Sequence, residues 1–221
     1  MEIITWVVET FRPSVALTSS FGARSAGIIH MALQVDPKIE IRVVDTGLLF
    51  DETYQFMEQL KQRFHLNLKV FKSTLDVQKF LKDHEGQPIG HPEFCCSPYY
   101  KVEATERMLK DLHGWITGIQ RDDANTRSAT PFVELLTNGV TKVAPLAAWS
   151  AKQLHEYMTK HRLPYHPLWA KGYTSIGCWP CTKPPLDPND PRSGRWPGQD
   201  KTECGIHDIG KQPTESDSVI E

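Results

Sequence analysis

The sequence lacks any apolar run that approaches the roughly 18 residues of a transmembrane helix. It also lacks a basic region ahead of an apolar one at its start, Met1 to Trp6, so a secretory signal is not expected. Its formal net charge is only −2, which gives no sign of a nucleic-acid or membrane-surface partner. We therefore expect a cytoplasmic protein that binds neither nucleic acid nor membrane.

Cysteine is scarce, with five residues in a chain of 221. An odd and small number makes a disulfide framework unexpected in a chain of this size. Metal-binding or catalytic thiols in a reducing compartment fit better. The hydrophobic share of 39% and the charged share of 24% are ordinary for a globular protein with one substantial domain.

Strand-like and helix-like segments alternate over the first two thirds of the chain. Apolar residues at helical spacing predict a helix over 25–35, and Ser150 is typical of the residue that caps a later helix. This alternation predicts the α/β class, with an open, mostly parallel sheet and flanking helices, in a nucleotide-binding domain of residues 1–162. Ligands of such sheets bind beyond the carboxyl ends of the strands, where the loops 18–25, 45–49 and 120–128 fall.

The composition changes after residue 162. Six prolines lie between Pro180 and Pro197, and the periodicity of helices and strands disappears. Such a segment is too long for an ordinary loop. We expect residues 163–221, here called the C-terminal flap, to be an irregular catalytic tail within the same folding unit, held by something other than a hydrophobic core.

The loop 18–25 joins a strand to a helix through small hydroxyl residues. Free backbone N–H groups and the helix dipole make such a turn suitable for an anion. It is neither a Walker A loop, since Ile28 and Ile29 stand where Lys and Ser or Thr should be, nor a dinucleotide fingerprint. An ordinary strand–helix turn remains the alternative.

Four of the cysteines form two close pairs, Cys95-Cys96 and Cys178-x-x-Cys181. Four thiolates brought together would hold Zn²⁺ or an iron–sulfur cluster. Adjacent cysteines suit a cluster better than a single tetrahedral ion. A thioredoxin-like redox pair at Cys178 and Cys181, or unrelated buried thiols, are the alternatives.

Cys204 stands alone beside Gly205, in a polar region where basic residues would favour its thiolate. The alternative is an accidental surface cysteine. Arginine forks bind phosphate or sulfate oxygens, and four candidates are Arg121, Arg127, Arg192 and Arg195.

Together these motifs resemble the sulfonucleotide reductases, and specifically the iron–sulfur adenylyl-sulfate (APS) reductases. The matching segments are Ser19-Ser20-Phe21-Gly22-Ala23, Asp45-Thr46-Gly47, Cys95-Cys96, Gly118 to Ser128, Gly177 to Thr182 and Lys201 to His207. The resemblance implies an adenine-nucleotide-binding fold like that of the pyrophosphate-loop ATPases. Two departures are Arg24, where an acidic or neutral residue is expected, and a Cys96–Lys101 spacing that is one residue longer.

The resemblance also implies the site. A [4Fe–4S] cluster would be ligated by Cys95, Cys96, Cys178 and Cys181, and Cys204 would be the nucleophile, with His207 in support. The nucleotide and phosphosulfate would contact Ser19, Ser20, Phe21, Gly22, Ser25, Asp45, Thr46, Gly47, Lys101, Arg121, Arg127, Arg192 and Arg195.

The implied reaction is the reduction of APS to sulfite and AMP, with thioredoxin or glutaredoxin as the reductant, in sulfate assimilation. A homo-oligomer is compatible with this assignment. The alternatives are a reductase of the 3′-phosphorylated analogue PAPS, a zinc-stabilised nucleotide-binding protein without activity, and an ATP-dependent sulfurtransferase. The mismatch of the loop 18–25 to the sulfurtransferase pattern counts against the last.

Overall fold

A computed structural model of the chain describes residues 1–74, 101–199, 201–207 and 209–210. Within this part a six-stranded sheet has the order β3-β2-β1-β4-β6-β5. The strands are β1 (Val15–Thr18), β2 (Glu40–Asp45), β3 (Asn67–Lys72), β4 (Gly114–Ile116), β5 (Val133–Leu135) and β6 (Thr141–Val143). All neighbours are parallel except β5 and β6. The prediction of an open, mostly parallel sheet is confirmed.

Helices cover both faces of this sheet. In the described residues they are α1 (Glu2–Phe11), α2 (Ser25–Val35), α3 (Asp51–Phe64), α4 (Glu103–Leu109) and α5 (Ala151–Lys160). On one face, α1, α2, α3 and α5 share a buried cluster with Leu17 and Ile116. On the other face, α4 packs with Ala16 and Trp115. Successive strand residues therefore point to opposite faces, and both faces are buried.

Local signals explain where α5 begins. The Ser150 Oγ accepts a hydrogen bond from the Gln153 backbone N–H at 3.1 Å, and the Gln153 Oε1 accepts one from the Ser150 backbone N–H at 2.8 Å. This reciprocal pair is a capping box, which satisfies two backbone donors at the helix start. The predicted cap at Ser150 is confirmed.

The strand order reverses between β1 and β4. The chain adds β2 and β3 on one side of β1, and then returns to place β4 on the other side. The connections diverge at such a switch point and leave a crevice at the carboxyl ends of the two strands. The loop 18–25 and the segment after β4 both lie there.

The described part of the C-terminal flap contains short 3-10 turns at Pro167–Lys171, Trp179–Cys181 and Gly205–His207. Its Leu168 and Ile176 pack against Ala23 of the strand–helix loop. None of the helices in the described residues is long and apolar enough to cross a bilayer.

Candidate active site

A cavity opens at the switch point between β1 and β4. Thr18 at the end of β1, Trp115 on β4 and Thr117 just after β4 line it. The Trp115 Nε1–H donates to the Thr18 Oγ1 at 2.7 Å, which fixes the indole beside β1. The cavity is therefore built where a parallel sheet offers a ligand site.

The loop 18–25 forms one wall of this cavity. Ser19, Ser20, Gly22 and Ser25, which the resemblance assigns to the substrate, line it, and α2 begins there with the positive end of its dipole. The Ser19 Oγ accepts from the Phe21 backbone N–H at 3.0 Å, which fixes the turn. Phe21 was predicted to bind substrate, but its ring is fully buried in the core beneath the loop and does not line the cavity.

Cationic side chains surround the opening. The cavity lining includes Lys101, Arg127, Arg192 and Arg195, which the resemblance had assigned to the phosphosulfate. Arg24 lines it too, and forms an ion pair with Asp123 at 3.0 Å.

Arg121 stands apart from the other predicted arginines. Its Nε donates to the Thr130 carbonyl at 2.8 Å, and its guanidinium lies over the Phe132 ring. Arg121 is not among the described residues that line the cavity. The structure thus brings together three of the four predicted arginines.

Two of these arginines share one carboxylate. Arg127 holds Glu203 through its Nε at 2.7 Å and its Nη2 at 2.9 Å, and the Arg192 Nη2 adds a contact at 3.1 Å. Burial, followed by repulsion from Arg127, lowers the pKa of Arg192 to about 10. Arg192 therefore stays charged at neutral pH, and both guanidinium groups lie at the wall of the cavity.

Cys204 follows Glu203 and lines the same cavity. It is 7% exposed, and it belongs to a buried cluster with Cys181 and Trp196. The predicted nucleophile is thus inside the cavity with the cations rather than on the outer surface. The side chain of His207 lies outside the described residues.

Cys178 precedes the 3-10 turn Trp179–Cys181, Cys181 ends it, and both cysteines are buried. The Cys178 Sγ lies 3.2 Å from the Thr46 Oγ1, and Cys178 also bridges to Leu49. Two buried thiols one turn apart fit as half of a four-thiolate ligand set. The other predicted ligands, Cys95 and Cys96, lie outside the described residues.

The segment Asp45-Thr46-Gly47 was predicted to bind the nucleotide. The structure places Thr46 against Cys178, and the Asp45 carboxylate accepts from the Tyr54 hydroxyl at 2.6 Å. The hydrogen bond to Asp45, together with burial as the larger cause, raises the pKa of Tyr54. None of the three residues is among the described residues that line the cavity. This turn supports the cysteine segment.

Sequence reasoning missed several cavity residues. Trp196 is 2% exposed, and its ring lies 4.5 Å from the Arg195 guanidinium. Gly177 leaves room for that guanidinium, since a Cβ there would lie 2.5 Å from the Arg195 Nη2. Thr174 and Ser175 also line the cavity. The one sequence signal that could have indicated these cavity residues was a tryptophan between Arg195 and Pro197 in a polar flap.

Comparisons with known proteins agree with this geometry. Residues 14–184 match the family model described as the phosphoadenosine phosphosulfate reductase domain. An adenosine 5′-phosphosulfate reductase of Geobacillus sp. (strain WCH70) is 36% identical over 215 residues, which cover 94% of this chain and 89% of that relative. A phosphoadenosine 5′-phosphosulfate reductase of Synechocystis sp. is 37% identical over 216 residues, covering 93% and 84%.

A solved structure is similar in fold as well as sequence. It is a phosphoadenylyl-sulfate (PAPS) reductase from Candida auris in a phosphate complex, with a TM-score of 0.69 and 26% identity. The similarity covers 80% of this chain and 87% of that one. The expected nucleotide-binding fold is confirmed.

Proposed function

The chain belongs to the phosphoadenosine phosphosulfate reductase family of sulfonucleotide reductases, and we propose that it reduces APS to sulfite and AMP with Cys204 as the nucleophile. One observation carries this proposal: Cys204 is buried in the cavity that Arg127, Arg192 and Arg195 line. A thiolate and several cations at one switch-point cavity suit transfer of a sulfonate from an anionic nucleotide.

The first step is attack of the Cys204 thiolate on the sulfur of APS. The new S–S bond forms as the bond from sulfur to the phosphate oxygen breaks, and AMP leaves with that electron pair. The product on the enzyme is a cysteine thiosulfonate. Because a thiolate and an anionic substrate repel each other, the arginines must offset charge that spreads over the phosphosulfate oxygens.

The second step needs a dithiol reductant, for which we propose thioredoxin. A thioredoxin thiolate attacks the Cys204 sulfur, and sulfite leaves with the electron pair of the S–S bond. The second thioredoxin thiol then resolves the mixed disulfide, so that thioredoxin is oxidised by two electrons. This chemistry suits a reducing compartment, and we propose the cytoplasm.

We also propose that Cys178 and Cys181, with Cys95 and Cys96, hold a [4Fe–4S] cluster. Support comes from the burial of the first pair at one tight turn against Thr46. When bound, such a cluster supplies four covalent ties and a local charge; in this scheme it carries no electrons. Iron and sulfide analysis with visible absorbance tests it, because a zinc protein would be colourless.

The substrate is the finer part of the proposal. The cysteine quartet supports APS through the resemblance, and the Geobacillus relative is named for the same substrate. PAPS is the second candidate, because the Synechocystis relative is named for it at similar identity. Parallel assays of sulfite release from the two nucleotides decide between them.

The decisive experiment incubates the purified protein anaerobically with APS, with and without thioredoxin. We expect a sulfonate adduct on the Cys204 peptide without thioredoxin, and sulfite and AMP with it. Cys204→Ser should bind AMP with unchanged affinity and give neither adduct nor sulfite. Sulfite release by Cys204→Ser would refute the role of this thiol, and faster release from PAPS would move the substrate to the alternative.

A further inference from the structure

We propose that Glu203 is a positioning residue. Its carboxylate is bound by Arg127 and Arg192, and this contact, here called the latch, holds residues 201–207, the Cys204 segment, against the cavity. The inference rests on the proposed role of Cys204. It adds that the same arginines serve two anions in turn, the chain's own carboxylate and the incoming phosphosulfate.

The contacts at Glu203 are specific rather than incidental. Arg127 binds both carboxylate oxygens, at 2.7 Å and 2.9 Å, in the bidentate geometry that arginine favours. The Thr126 hydroxyl donates to Oε1 at 3.0 Å, and the Arg192 Nη2 reaches Oε2 at 3.1 Å. Three side chains from two separate segments therefore converge on one carboxylate.

Burial makes each charge of this ion pair depend on its partners. The side chains of Arg127, Arg192 and Glu203 are only 13%, 12% and 17% exposed. Burial alone would lower the pKa of Arg127, but the hydrogen bonds and attraction of Glu203, together with those of Asp123, outweigh it and raise that pKa. Removing one partner of such a pair leaves the others desolvated without compensation.

The latch reaches the backbone next to the nucleophile. The Arg192 Nη2 also donates to the Thr202 carbonyl at 3.2 Å, so one guanidinium holds the residue before Glu203 as well. Cys204 comes next and is packed beside Trp196. Because Thr202 and Glu203 are both held, the backbone that leads into Cys204 is fixed by Arg127 and Arg192.

Because Arg127 and Arg192 contact both Glu203 and the cavity, the proposal predicts opposite effects on anion binding and on the rate of attack by the thiol. Without the Glu203 charge, Arg192 loses the carboxylate that it contacts, and Arg127 keeps only Asp123, at 3.1 Å. An anion in the cavity should then bind more tightly. The Cys204 segment loses its latch, and attack by the thiol should slow. A purely structural loss would instead weaken both binding and chemistry.

Glu203→Gln tests this, since it keeps the shape of the side chain and removes the charge. The matched control is Glu52→Gln, which breaks the 2.8 Å ion pair between α3 and Lys171 of the flap, away from the cavity. The measurements are the rate of Cys204 alkylation by iodoacetamide without nucleotide, the AMP dissociation constant, and the single-turnover rate of adduct formation.

We expect Glu203→Gln to raise the alkylation rate about tenfold, to tighten AMP binding severalfold and to slow adduct formation about tenfold, the range for a lost charged hydrogen bond. Glu52→Gln should change none of these. Glu203→Asp keeps the charge on a shorter side chain and should restore part of the adduct rate. Alkylation of Glu203→Gln at the wild-type rate, or AMP binding that weakens, overturns the latch.

The measurements distinguish a failure of this inference from a failure of the proposed function on which it rests. If wild-type protein forms no adduct with APS or PAPS, the proposed function fails. The alkylation and AMP measurements need no turnover, and they still decide whether Glu203 holds the segment closed.

Discussion

At the residue scale, chemistry could be predicted from residue type, but contacts could not. Three arginines and Cys204 were assigned from motifs and do line one cavity. Arg121 has the same chemistry but is held by Thr130, because its neighbours in space are set by the strands that follow it. Glu203 stood within a recognised motif, yet its role depends on Arg127, which is remote in sequence.

A first prediction concerns Gly177, which makes room for Arg195. A Cβ at this position would lie 2.5 Å from the Arg195 Nη2 and 2.8 Å from its Cζ. Because the end of a flexible side chain can give way, Gly177→Ala should cost little stability but move the guanidinium out of place. We expect KM for the sulfonucleotide to rise about tenfold, the effect of one charged hydrogen bond.

A double-mutant cycle provides the control for Gly177→Ala. In an Arg195→Met background the added methyl group has no guanidinium to displace, so the second substitution should change KM little. Additive effects of the two substitutions would contradict the explanation.

At the scale of elements, periodicity was a good guide wherever a segment was buried. The helix predicted over 25–35 is α2, Ser25–Val35, because its apolar residues face the core. The edge strand β5 was missed: it is three residues long, and its Leu135 is 71% exposed, so no alternation marks it.

The cap of α5 gives a prediction at this scale. Ser150→Ala removes the acceptor for the Gln153 N–H and should lower the free energy of unfolding by about 1 kcal/mol. Urea denaturation measures this, and Ser150→Asp should recover most of the loss because aspartate also caps helices well. An unchanged denaturation midpoint for the alanine variant would argue that the cap contributes nothing.

His166 gives a second element-scale prediction, on pH. It is 1% exposed, its Nε2 lies 3.0 Å from the Thr53 Oγ1, and its Nδ1 accepts from the Leu168 N–H. Burial lowers the pKa of His166 from 6.5 to about 4. Between these values the unfolded chain binds a proton that the folded chain does not, so stability should fall as pH drops, by up to about 3 kcal/mol over the window.

Unfolding free energies at pH 7, 6, 5 and 4 test this, with His166→Asn as the comparison. The variant should be less stable at pH 7 but should lose less stability on acidification. Parallel curves for the two proteins would show that another group carries the pH dependence.

At the scale of the whole molecule, the sheet could be predicted and the path of the flap could not. Strand–helix alternation is a local property, and it implied a parallel sheet with a site at its carboxyl edge. The flap has short turns instead of long elements, so its path is set by long-range contacts. These include Trp179 N to Leu48 O at 2.8 Å, the pairing of Cys178 with Leu49, and the ion pair of Glu203 with Arg127.

The proposed cluster would add covalent ties at the first of these attachments, and this predicts how the molecule responds to iron removal. Without the ties, the contacts of Cys178 with Thr46 and Leu49 are left to hold the turn. Trypsin should then cut faster in the flap, at Lys183, Arg192 or Arg195. The sheet should keep its melting temperature within a few degrees, because its buried cluster is formed mainly by the strands and by α1, α2, α3 and α5. Cys178→Ser should reproduce the faster cleavage, and reconstitution with iron and sulfide should reverse it only in the wild-type protein. Equal cleavage with and without iron would mean that the hydrogen bonds and the Glu203 latch hold the flap by themselves, and the structural role given to the cysteine quartet would be wrong.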